Sequence, residues 1–333
     1  MNYRQIRRSI SISTLWLIIV LNIIYSQNCD EGYSYFAELP ETATVSSGDS
    51  CLYNVDISAL NDLISANGLD YEFALEVGNQ TWGDGRLTVL VGTFNPNGAS
   101  GINAQLQVLP ESFGDLTGLA LLYLEWHSLT SLPESFIQLT NLISFTINNN
   151  WLTHIPSGIG NLSNLYLLDL GYNKIESIPE SICELENLVY LFLFNNELTS
   201  VPNCICDLSV DLSGFDGWGI PYFGIGGNYL CSDIPDCIEN SPNFELSLDQ
   251  FYYLVPIDAP QDCEEECPNL GDLNGDGGWN VLDIVTLANC VLAVDCADLE
   301  NGCTGDLNGD GGWNVLDIVT LANCVLAVDC GEN

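Results

Sequence analysis

The sequence predicts a short α/β solenoid with capped ends, followed by a small all-α domain. A leucine recurs every 23 residues through the middle of the chain, at Leu116, Leu139, Leu162, Leu185 and Leu208. Further along, the segment 271–296 is repeated without change at 305–330. A repeat of fixed length is typical of solenoids, because each unit can bury its apolar face only against its neighbours.

The first 26 residues have the composition of a secretory signal. Arginines precede an apolar run over 15–24, and Ser26 offers a small residue for cleavage. We therefore predict a signal peptide at 1–26, with an uncleaved signal anchor as the alternative. No later apolar run reaches the ~18 residues that a membrane span needs, so we expect no membrane insertion after cleavage. The mature protein is expected to be secreted, either extracellular or at the cell surface.

The chain is strongly acidic, with 45 aspartates and glutamates against 5 lysines and arginines. Cleavage of the signal would leave Arg86 and Lys174 as the remaining basic side chains. Such a chain repels phosphate backbones, which excludes nucleic acid as a partner. Because 47% of the residues are hydrophobic, the composition is not that of an acidic disordered tail. Divalent cations are the ligands that this charge would attract.

The N-terminal region 27–83 is predicted to cap the solenoid, because an open stack of repeats needs capped ends. Residues 56–67 begin with an aspartate and carry apolar residues at helical spacing, which predicts a helix. Trp82 and the segment GRLTVLVG that follows it indicate the entry into the first strand. The remaining predicted regions are the repeats at 84–240, a C-terminal cap and linker at 241–267, and the last domain at 268–333.

Each repeat carries the same residue types in the same places, following L-x-x-L-x-x-L-x-L-x-x-N-x-L. The pattern resembles the leucine-rich repeat over roughly 84–240, which implies a horseshoe of stacked strand-and-turn units. The expected core residues are Leu119, Leu122, Leu124 and their equivalents. Asn150, Asn173 and Asn196 recur at the bend, where an amide can satisfy inward-facing backbone groups. His127 replaces this asparagine in the first full repeat, and we interpret it as structural, with a gap in the ladder left open.

All 14 cysteines lie beyond the signal, and an even number in an exported chain favours disulfides. Neighbouring solenoid strands lie about 4.8 Å apart, so equivalent positions of adjacent repeats are within disulfide reach. Stacking predicts the pairs Cys183–Cys206 and Cys204–Cys237 and leaves Cys231 for Cys263. The pair Cys29–Cys51 is predicted within the N-terminal cap, and the pairs Cys290–Cys296 and Cys324–Cys330 are predicted to close the end of each C-terminal helix. For the last two, cross-pairing between the copies of the C-terminal segment is the alternative.

Each copy of the C-terminal segment contains D-x-N-x-D-G-x-x-N-x-x-D. Calcium takes about six to eight oxygen ligands, and a loop of about 12 residues can present them around one point. The predicted ligands of two Ca²⁺ ions are Asp272, Asn274, Asp276, Gly278 (through its carbonyl), Asn280 and Asp283, and then Asp306, Asn308, Asp310, Gly312, Asn314 and Asp317. Gly277 and Gly311 permit the sharp turn at the sixth place. A single motif can be a solvated acidic turn, but two identical copies favour a metal.

Each loop ends in aspartate rather than the glutamate of an ordinary EF-hand, and only one helix follows it. With the tandem duplication, these features resemble a type I dockerin over 268–330. The resemblance implies an all-α domain whose two loop–helix units pack about a pseudo-two-fold axis and fold when calcium binds. It also implies docking onto a cohesin-like partner. The docking positions Val281, Leu282, Val315 and Leu316 lack the hydroxyl residues of many cellulosomal members, which disfavours a cellulosomal cohesin and leaves a different cohesin-like partner open. A module for stability or sorting is the alternative to docking.

The variable strand positions of leucine-rich repeats face the concave side of the horseshoe. In this chain they include Tyr123, Glu125, Trp126, Thr146, Asn148, Asn149, Asp169, Tyr172, Tyr190, Phe192, Phe194 and Asn195. Exposed aromatic rings beside amides and carboxylates suit the recognition of a protein or a glycan. We predict a ligand site on this face, with rings shielded by a cap or by the tail as the alternative.

These features predict a binding or adhesion protein and not an enzyme. The sequence has no G-x-S-x-G or H-E-x-x-H motif and no region of the size of a separate catalytic domain. Because dockerins often accompany hydrolases, a polysaccharide-degrading extracellular component is an alternative by association. A purely structural surface protein is the other alternative.

Overall fold

The computed structural model describes residues 29–96, 100–263, 270–294, 296, 299, 301–308 and 312–327. The chain divides into two compact units, with the boundary between Asp262 and Cys263. The predicted signal peptide at 1–26 lies outside the described residues. Among the residues described, no helix combines the length and the apolar character that crossing a bilayer requires.

The first unit is built on one long sheet. Its strands are β1 (Tyr33–Tyr35), β2 (Ala43–Ser47), β3 (Cys51–Tyr53), β4 (Asn79–Gly83), β5 (Arg86–Val91), β6 (Leu121–Tyr123), β7 (Ser144–Thr146), β8 (Leu167–Asp169), β9 (Tyr190–Phe192), β10 (Phe223–Gly224), β11 (Leu246–Leu248) and β12 (Pro256–Asp258). Eight of them form the sheet in the order β10-β9-β8-β7-β6-β5-β4-β2. From β5 to β10 neighbouring strands are parallel, and equivalent residues face one another, as Phe145 faces Leu168. The repeat spacing therefore sets the register of the sheet.

Short 3-10 turns return the chain from one strand to the next. They span Glu111–Asp115, Glu134–Gln138, Ile159–Asn161, Glu180–Glu184 and Asn203–Asp207. Phe113 and Phe136 lie fully buried in two of these turns, and their rings are parallel with centroids 6.5 Å apart. Together with inward-facing strand leucines such as Leu122, Leu168 and Leu191, which are also fully buried, they form one continuous core along the unit.

A ladder of buried asparagines follows the strands, at the bend that the repeat pattern predicts. Asn173 donates from Nδ2 to the carbonyls of Ile147 (3.1 Å) and Leu170 (3.0 Å). Its Oδ1 accepts the N–H of Leu152 at 3.0 Å. Equivalent bonds are made by Asn150, Asn196 and Asn228. This asparagine ladder ties each repeat to its neighbours through otherwise unsatisfied backbone groups.

His127 continues the asparagine ladder, so the first full repeat has no gap there. Its Nδ1 accepts the N–H of Leu106 (3.0 Å), and its Nε2 lies 2.6 Å from the carbonyl oxygen of Gly92. This network assigns the neutral tautomer with the proton on Nε2. Burial lowers the pKa of His127 to about 4, against the opposing effect of the Gly92 bond. The ring is therefore neutral at physiological pH. It makes hydrogen bonds equivalent to those that the asparagine amide makes in the other repeats.

The N-terminal cap extends the sheet as well as closing the core. Helix α1 (Asn54–Asn67) includes the predicted helical segment and packs Leu60 into the repeat core. Asp56 is fully buried and accepts hydrogen bonds from Arg86 Nε (2.9 Å) and from the Leu87 N–H (2.9 Å). One of the two basic residues outside the predicted signal thus holds the cap helix against the first strands.

Two disulfides differ from the predicted ones. Cys183 pairs with Cys204, and Cys206 pairs with Cys237, with Cα atoms 5.8 Å apart in each pair. The predicted pairs Cys183–Cys206 and Cys204–Cys237 are therefore wrong. The prediction used the spacing of extended strands, whereas Cys183, Cys204 and Cys206 lie on 3-10 turns. Side chains advance by about 120° per residue in such a turn, so equivalent cysteines of stacked turns point the same way instead of toward each other.

For the other predicted pairs, agreement with the structure is shown in two cases. Two predicted pairs are present, Cys29–Cys51 and Cys290–Cys296. Cys231 and Cys263 are each disulfide-bonded, and Cys231 Sγ lies 3.9 Å from the carbonyl oxygen of Asp262. Their mutual pairing stays a prediction. The pair Cys324–Cys330 also stays one, because Cys330 lies outside the described residues.

The first unit ends in a hairpin that the repeat pattern does not specify. After the short helix α2 (Asp236–Glu239), strands β11 and β12 pair antiparallel, with Leu246 opposite Asp258 and Leu248 opposite Pro256. We refer to residues 246–258 as the capping hairpin. It lies within the region that the sequence assigns only to a cap and a linker.

The second unit contains two helices of identical sequence, α3 (Val281–Ala293) and α4 (Val315–Ala327). These bounds match the predicted amphipathic segments. Leu273, Leu287 and Leu321 are buried between them in a small core. Each helix follows directly on one of the two acidic loops.

Candidate functional site

Two buried carboxylates, Asp272 and Asp283, anchor the first predicted calcium loop. The Asp272 carboxylate accepts the backbone N–H groups of Asp276 (3.1 Å) and Gly277 (2.8 Å). Gly277 has a φ of +86°, a left-handed conformation that glycine adopts without strain and that the sequence predicts for the sixth place. The loop therefore curls around the Asp272 side chain.

Asp283 ties the end of this loop to its beginning and to helix α3. Its carboxylate accepts the N–H groups of Asn274 (3.1 Å) and Asn280 (2.8 Å). The side chain of Asn280 caps α3 by accepting the N–H of Leu282 at 2.8 Å, and its amide lies 3.2 Å from the Gly278 carbonyl oxygen. The predicted ligand residues of the first loop thus form one closed loop at the start of a helix.

The second loop repeats this arrangement in the residues that the structure describes. Asp317 is fully buried and accepts the N–H groups of Leu307 (3.1 Å) and Asn314 (2.8 Å). The side chain of Asn314 accepts the N–H of Leu316 at 2.8 Å, as Asn280 does in the first copy. Of the remaining predicted ligands, Asp306, Asn308 and Gly312 are described, and Asp310 lies outside the described residues.

The donor groups of both loops fit a hard divalent cation. Calcium prefers carboxylate, amide and carbonyl oxygens, which are the groups at these positions. Asp272, Asp283 and Asp317 are 4%, 0% and 0% exposed, yet the sequence from 263 to 333 contains no lysine, arginine or histidine. Buried carboxylates without a cationic partner carry a large desolvation cost, which a bound cation would offset. The residues present would therefore hold Ca²⁺ through the oxygens of the two loops.

The strand face that the sequence predicts to be concave, called the concave face below, is covered at its C-terminal end by the capping hairpin. Leu248 and Tyr253 pack against Phe192 and Phe194 in one cluster. Phe194 is fully buried and Phe192 is 4% exposed, so the structure does not present either ring to a ligand. The prediction of these two as ligand contacts is corrected, because their apolar area is buried against the chain's own hairpin.

Polar contacts hold the capping hairpin on this face. The Tyr172 hydroxyl donates to the Leu248 carbonyl oxygen (2.7 Å), and the Tyr253 hydroxyl donates to Asp169 Oδ1 (2.9 Å). Asp169 Oδ2 also accepts a bond from Asn148 Nδ2 at 2.7 Å. Asn148 and Asp169 are buried, so their polar groups form hydrogen bonds within the chain and are not accessible to a ligand, contrary to the prediction.

The rest of the predicted ligand site is partly exposed to solvent. The partly exposed members are Tyr123, Glu125, Trp126, Tyr172 and Tyr190. The Glu125 carboxylate accepts hydrogen bonds from the hydroxyls of Thr93 and Thr146, the latter at 2.7 Å. The Tyr190 hydroxyl donates a hydrogen bond to Oδ2 of Asp216, a residue in the insertion of the last repeat, at 3.0 Å. The accessible aromatic surface therefore lies mainly toward the N-terminal repeats and along the edge beside Trp126.

Asp169 makes the hairpin contact sensitive to pH. Burial raises the pKa of Asp169 to about 7, although its bonds from Gly171, Asn148 and Tyr253 oppose that rise. Between about pH 4 and pH 7 the folded state therefore retains a proton that the unfolded state has released. The contribution of Asp169 to the free energy of unfolding falls as the pH rises through this window.

We expect Asp169→Asn to remove about 4 kcal/mol of this pH dependence, because the amide does not ionise. Urea unfolding of both proteins between pH 4 and pH 8 measures the difference. Asp62→Asn, at an exposed position of α1, is the control and should leave the pH profile as it is. Parallel profiles for the natural chain and Asp169→Asn would contradict the assignment.

The sequence pattern misses the residues of the capping hairpin that contact the concave face, and it also misses Trp151. One signal could have found the hairpin, since Phe251, Tyr252 and Tyr253 follow one another in a segment that otherwise reads as a linker. Consecutive aromatic residues in an exported linker need apolar surface to bury at least one of them. Trp151 directly follows the ladder asparagine, outside the strand positions that were searched.

Comparisons with known proteins match two parts of the chain. The leucine rich repeat family model matches residues 140–198, and the dockerin type I domain model matches residues 270–326. No curated protein sequence matches the chain.

Three solved structures are similar to part of the chain. A leucine-rich-repeat protein of Leptospira interrogans is 27% identical with a TM-score of 0.30, over 42% of this chain and 39% of that one. A plant ice-binding protein is 24% identical with a TM-score of 0.42, over 53% and 64%. The ectodomain of the receptor kinase SOBIR1 from Arabidopsis thaliana is 21% identical with a TM-score of 0.41, over 53% and 94%. The chain covers less than two thirds of the first two proteins.

Proposed function

We propose that this chain, a leucine-rich-repeat protein with a C-terminal dockerin type I domain, is a secreted recognition or adhesion protein. The repeats form a horseshoe that presents a ligand surface. The tail forms an all-α domain that binds two Ca²⁺ ions and docks the protein onto a cohesin-like partner. The disulfides support an extracellular location, because such bonds persist in oxidising compartments.

The observation that carries the docking role is an exposed apolar surface at the start of each tail helix. Val281 and Leu282 are 64% and 63% exposed, and Val315 and Leu316 are 65% and 63% exposed. Grouped aliphatic side chains that face solvent typically mark a surface for a partner. They follow the calcium loops directly, so a bound ion would fix the helix starts that present them. These are also the positions that guide docking in the dockerins that the tail resembles.

The side chains at these four docking positions restrict the kind of partner that can bind. All four side chains are aliphatic, whereas many cellulosomal dockerins carry small hydroxyl residues there. An aliphatic patch gains free energy by excluding water from an apolar counterpart and offers no hydrogen bonds. We therefore propose a cohesin-like module whose docking surface is apolar.

We propose binding without catalysis on the repeats. The concave carboxylates Glu125 and Asp169 both accept hydrogen bonds from neighbouring side chains, those of Thr93, Thr146 and Tyr253 among them. Asp169 is also 2% exposed. General acid–base chemistry needs a carboxyl group within hydrogen-bond reach of the substrate, which this placement disfavours.

Binding of the full, calcium-loaded chain to purified cohesin modules tests the docking role. We expect a complex that calcium chelation dissolves. Replacing Val281, Leu282, Val315 and Leu316 together by glutamine should weaken it by about a hundredfold, since the apolar contacts of the docking surface are lost. Surface plasmon resonance against a panel of cohesins that differ in surface hydrophobicity measures the change.

The matched control is Leu292→Gln with Leu326→Gln, because these leucines are 82% and 81% exposed at the other end of the same helices. That variant should dock like the natural chain. Both variants should keep their calcium stoichiometry, which separates docking from loss of the loops. If no cohesin binds the calcium-loaded chain, the tail is better explained as a module for stability or sorting.

A further inference from the structure

A cavity of about 260 Å³ opens at the edge of the concave face, where the strands of the N-terminal repeats end. Its main lining residues are Gln105, Trp126, Asn149, Trp151, Tyr172 and Gln250. Three of these are aromatic and three carry primary amides. His127 also contributes and is neutral at physiological pH, because burial keeps its pKa near 4. The lining residues are therefore uncharged, in a chain with 45 acidic residues.

The backbone fixes these side chains in a column. Trp126, Asn149 and Tyr172 occupy the same place in successive repeats, and their φ angles are 65°, 55° and 53°. Bulky side chains rarely adopt this left-handed conformation, which costs of order 1–2 kcal/mol. The next residue in each repeat belongs to the ladder of His127, Asn150 and Asn173, whose hydrogen bonds hold the bend. The column is thus preorganised, which lowers the entropic cost of binding a ligand.

The two indoles offer ring surface and N–H donors, and a neighbouring side chain packs against each ring. Trp151 is 51% exposed, and Lys174 Nζ lies 4.9 Å from its ring centroid. Trp126 stacks on Phe251, with centroids 5.5 Å apart and planes inclined by 23°. Among the residues that the structure describes, neither indole N–H has a hydrogen-bond partner. A flat apolar face beside a free donor suits a ligand with C–H groups on one face and oxygen acceptors at its rim.

The amides at the cavity can serve the same kind of ligand. Gln250 Nε2 donates to Asn149 Oδ1 at 2.8 Å, which places the Gln250 side chain against the column. Gln105 Nε2 lies 3.2 Å from the Trp126 carbonyl oxygen. Each amide has a second N–H group, and a hydroxyl-bearing ligand can accept from it. The site thus combines a few polar groups with aromatic walls, as small-molecule sites do.

We infer that this cavity binds a neutral saccharide unit, a proposal that rests on the recognition role proposed for the repeats. A pyranose ring can stack its C–H face on an indole while its hydroxyls bond to the amides. Lys174 lies over the Trp151 ring, but none of the lining residues is itself charged and the chain carries a formal charge of −40, so anionic glycans are disfavoured. An added peptide strand is disfavoured, because β6, β7 and β8 are paired on both sides. The volume is below the roughly 300–1,000 Å³ of drug-sized sites, so one ring of a longer glycan is the expected occupant.

Isothermal titration of the full chain with defined oligosaccharides tests this inference. The probes are neutral hexasaccharides of glucose, mannose, xylose or N-acetylglucosamine, beside sulfated and uronic-acid hexasaccharides and a set of uncharged peptides. We expect a neutral oligosaccharide to bind. Trp151→Ala and Trp126→Ala should each weaken that binding about tenfold or more, as loss of an aromatic contact does at binding hot spots.

Two further variants keep the test decisive. Trp218→Ala removes an indole that is 91% exposed on the insertion of the last repeat, and it should leave the affinity unchanged. Trp151→Phe keeps a ring face without the N–H and should retain intermediate affinity, which a misfolded protein would not. Binding restricted to anionic glycans or peptides, or affinity indifferent to both Trp126 and Trp151, overturns the saccharide assignment. Those outcomes leave the recognition role and the cohesin docking experiment untouched, so the two failures are distinguishable.

Discussion

Replacing Asp272 and Asp306 together by alanine is expected to abolish calcium binding by the C-terminal unit, whereas the natural chain should take up two ions. Asp272 is 4% exposed, and its carboxylate holds the N–H groups of Asp276 and Gly277. Its loss removes a charged ligand and the internal anchor of the loop together. Asp306 occupies the same place in the second copy. Each single variant should retain one site, and calorimetric titration of the full chain measures the stoichiometry.

Calcium removal is expected to loosen the tail as well. Without the ion, Asp272, Asp283 and Asp317 are buried carboxylates with no cationic side chain in their unit. At a free calcium concentration of 100 times Kd, each occupied site would stabilise the fold by about 2.7 kcal/mol. Hydrogen exchange of α3 and α4 with and without chelator should therefore show faster exchange when calcium is absent.

The control for both measurements is Asp62→Ala with Asp207→Ala, which removes two exposed charges from the first unit. This variant should bind calcium as the natural chain does, so a general effect of net charge is separated from loss of ligands. An unchanged stoichiometry in the loop variant would contradict the ligand assignment. Equal protection of the helices in chelator would contradict the coupling of calcium to folding.

The parts of the fold that depend on local periodicity are the parts that the sequence predicts. Leu119, Leu122 and Leu124 are fully buried because their spacing places them on the inward side of β6 and of the residues that flank it. The bounds of α3 and α4 follow from the acidic loops and from the capping residues Asn280 and Asn314. In these cases the residues that decide the structure lie within one repeat of each other.

The concave face could not be read from the repeats alone, because distant residues decide which of its side chains are exposed. Phe194 occupies a strand position that usually faces a ligand, yet Leu248 and Tyr253 cover it from more than two repeats away. The predictions of Cys183–Cys206 and Cys204–Cys237 were wrong for a related reason. The repeat length gives the spacing of equivalent residues along the chain, but not the direction in which their side chains point. His127 shows the opposite case, in which an unexpected residue type makes the expected hydrogen bonds.

The asparagine ladder is the second place where one substitution should have a large effect. We expect Asn173→Ala to lower the free energy of unfolding by about 2–4 kcal/mol. The change leaves the buried N–H of Leu152 without its acceptor and removes a donor from the carbonyls of Ile147 and Leu170. Since each repeat of a solenoid is held mainly by its neighbours, the loss should act at the junction of two repeats and lower the cooperativity of unfolding. Urea unfolding followed by tryptophan fluorescence measures both quantities.

A second row of asparagines provides the matched control. Asn164 lies in the same repeat as Asn173 and donates from Nδ2 to the Thr140 carbonyl oxygen at 2.7 Å, but it is exposed. Water can replace that bond, so Asn164→Ala should cost less than about 1 kcal/mol. The comparison holds residue type and repeat constant and varies burial together with the number of hydrogen bonds, since Asn173 makes several and Asn164 donates the one to Thr140. Equal losses at the two positions would contradict the argument that the ladder stabilises the stack by keeping buried backbone groups paired.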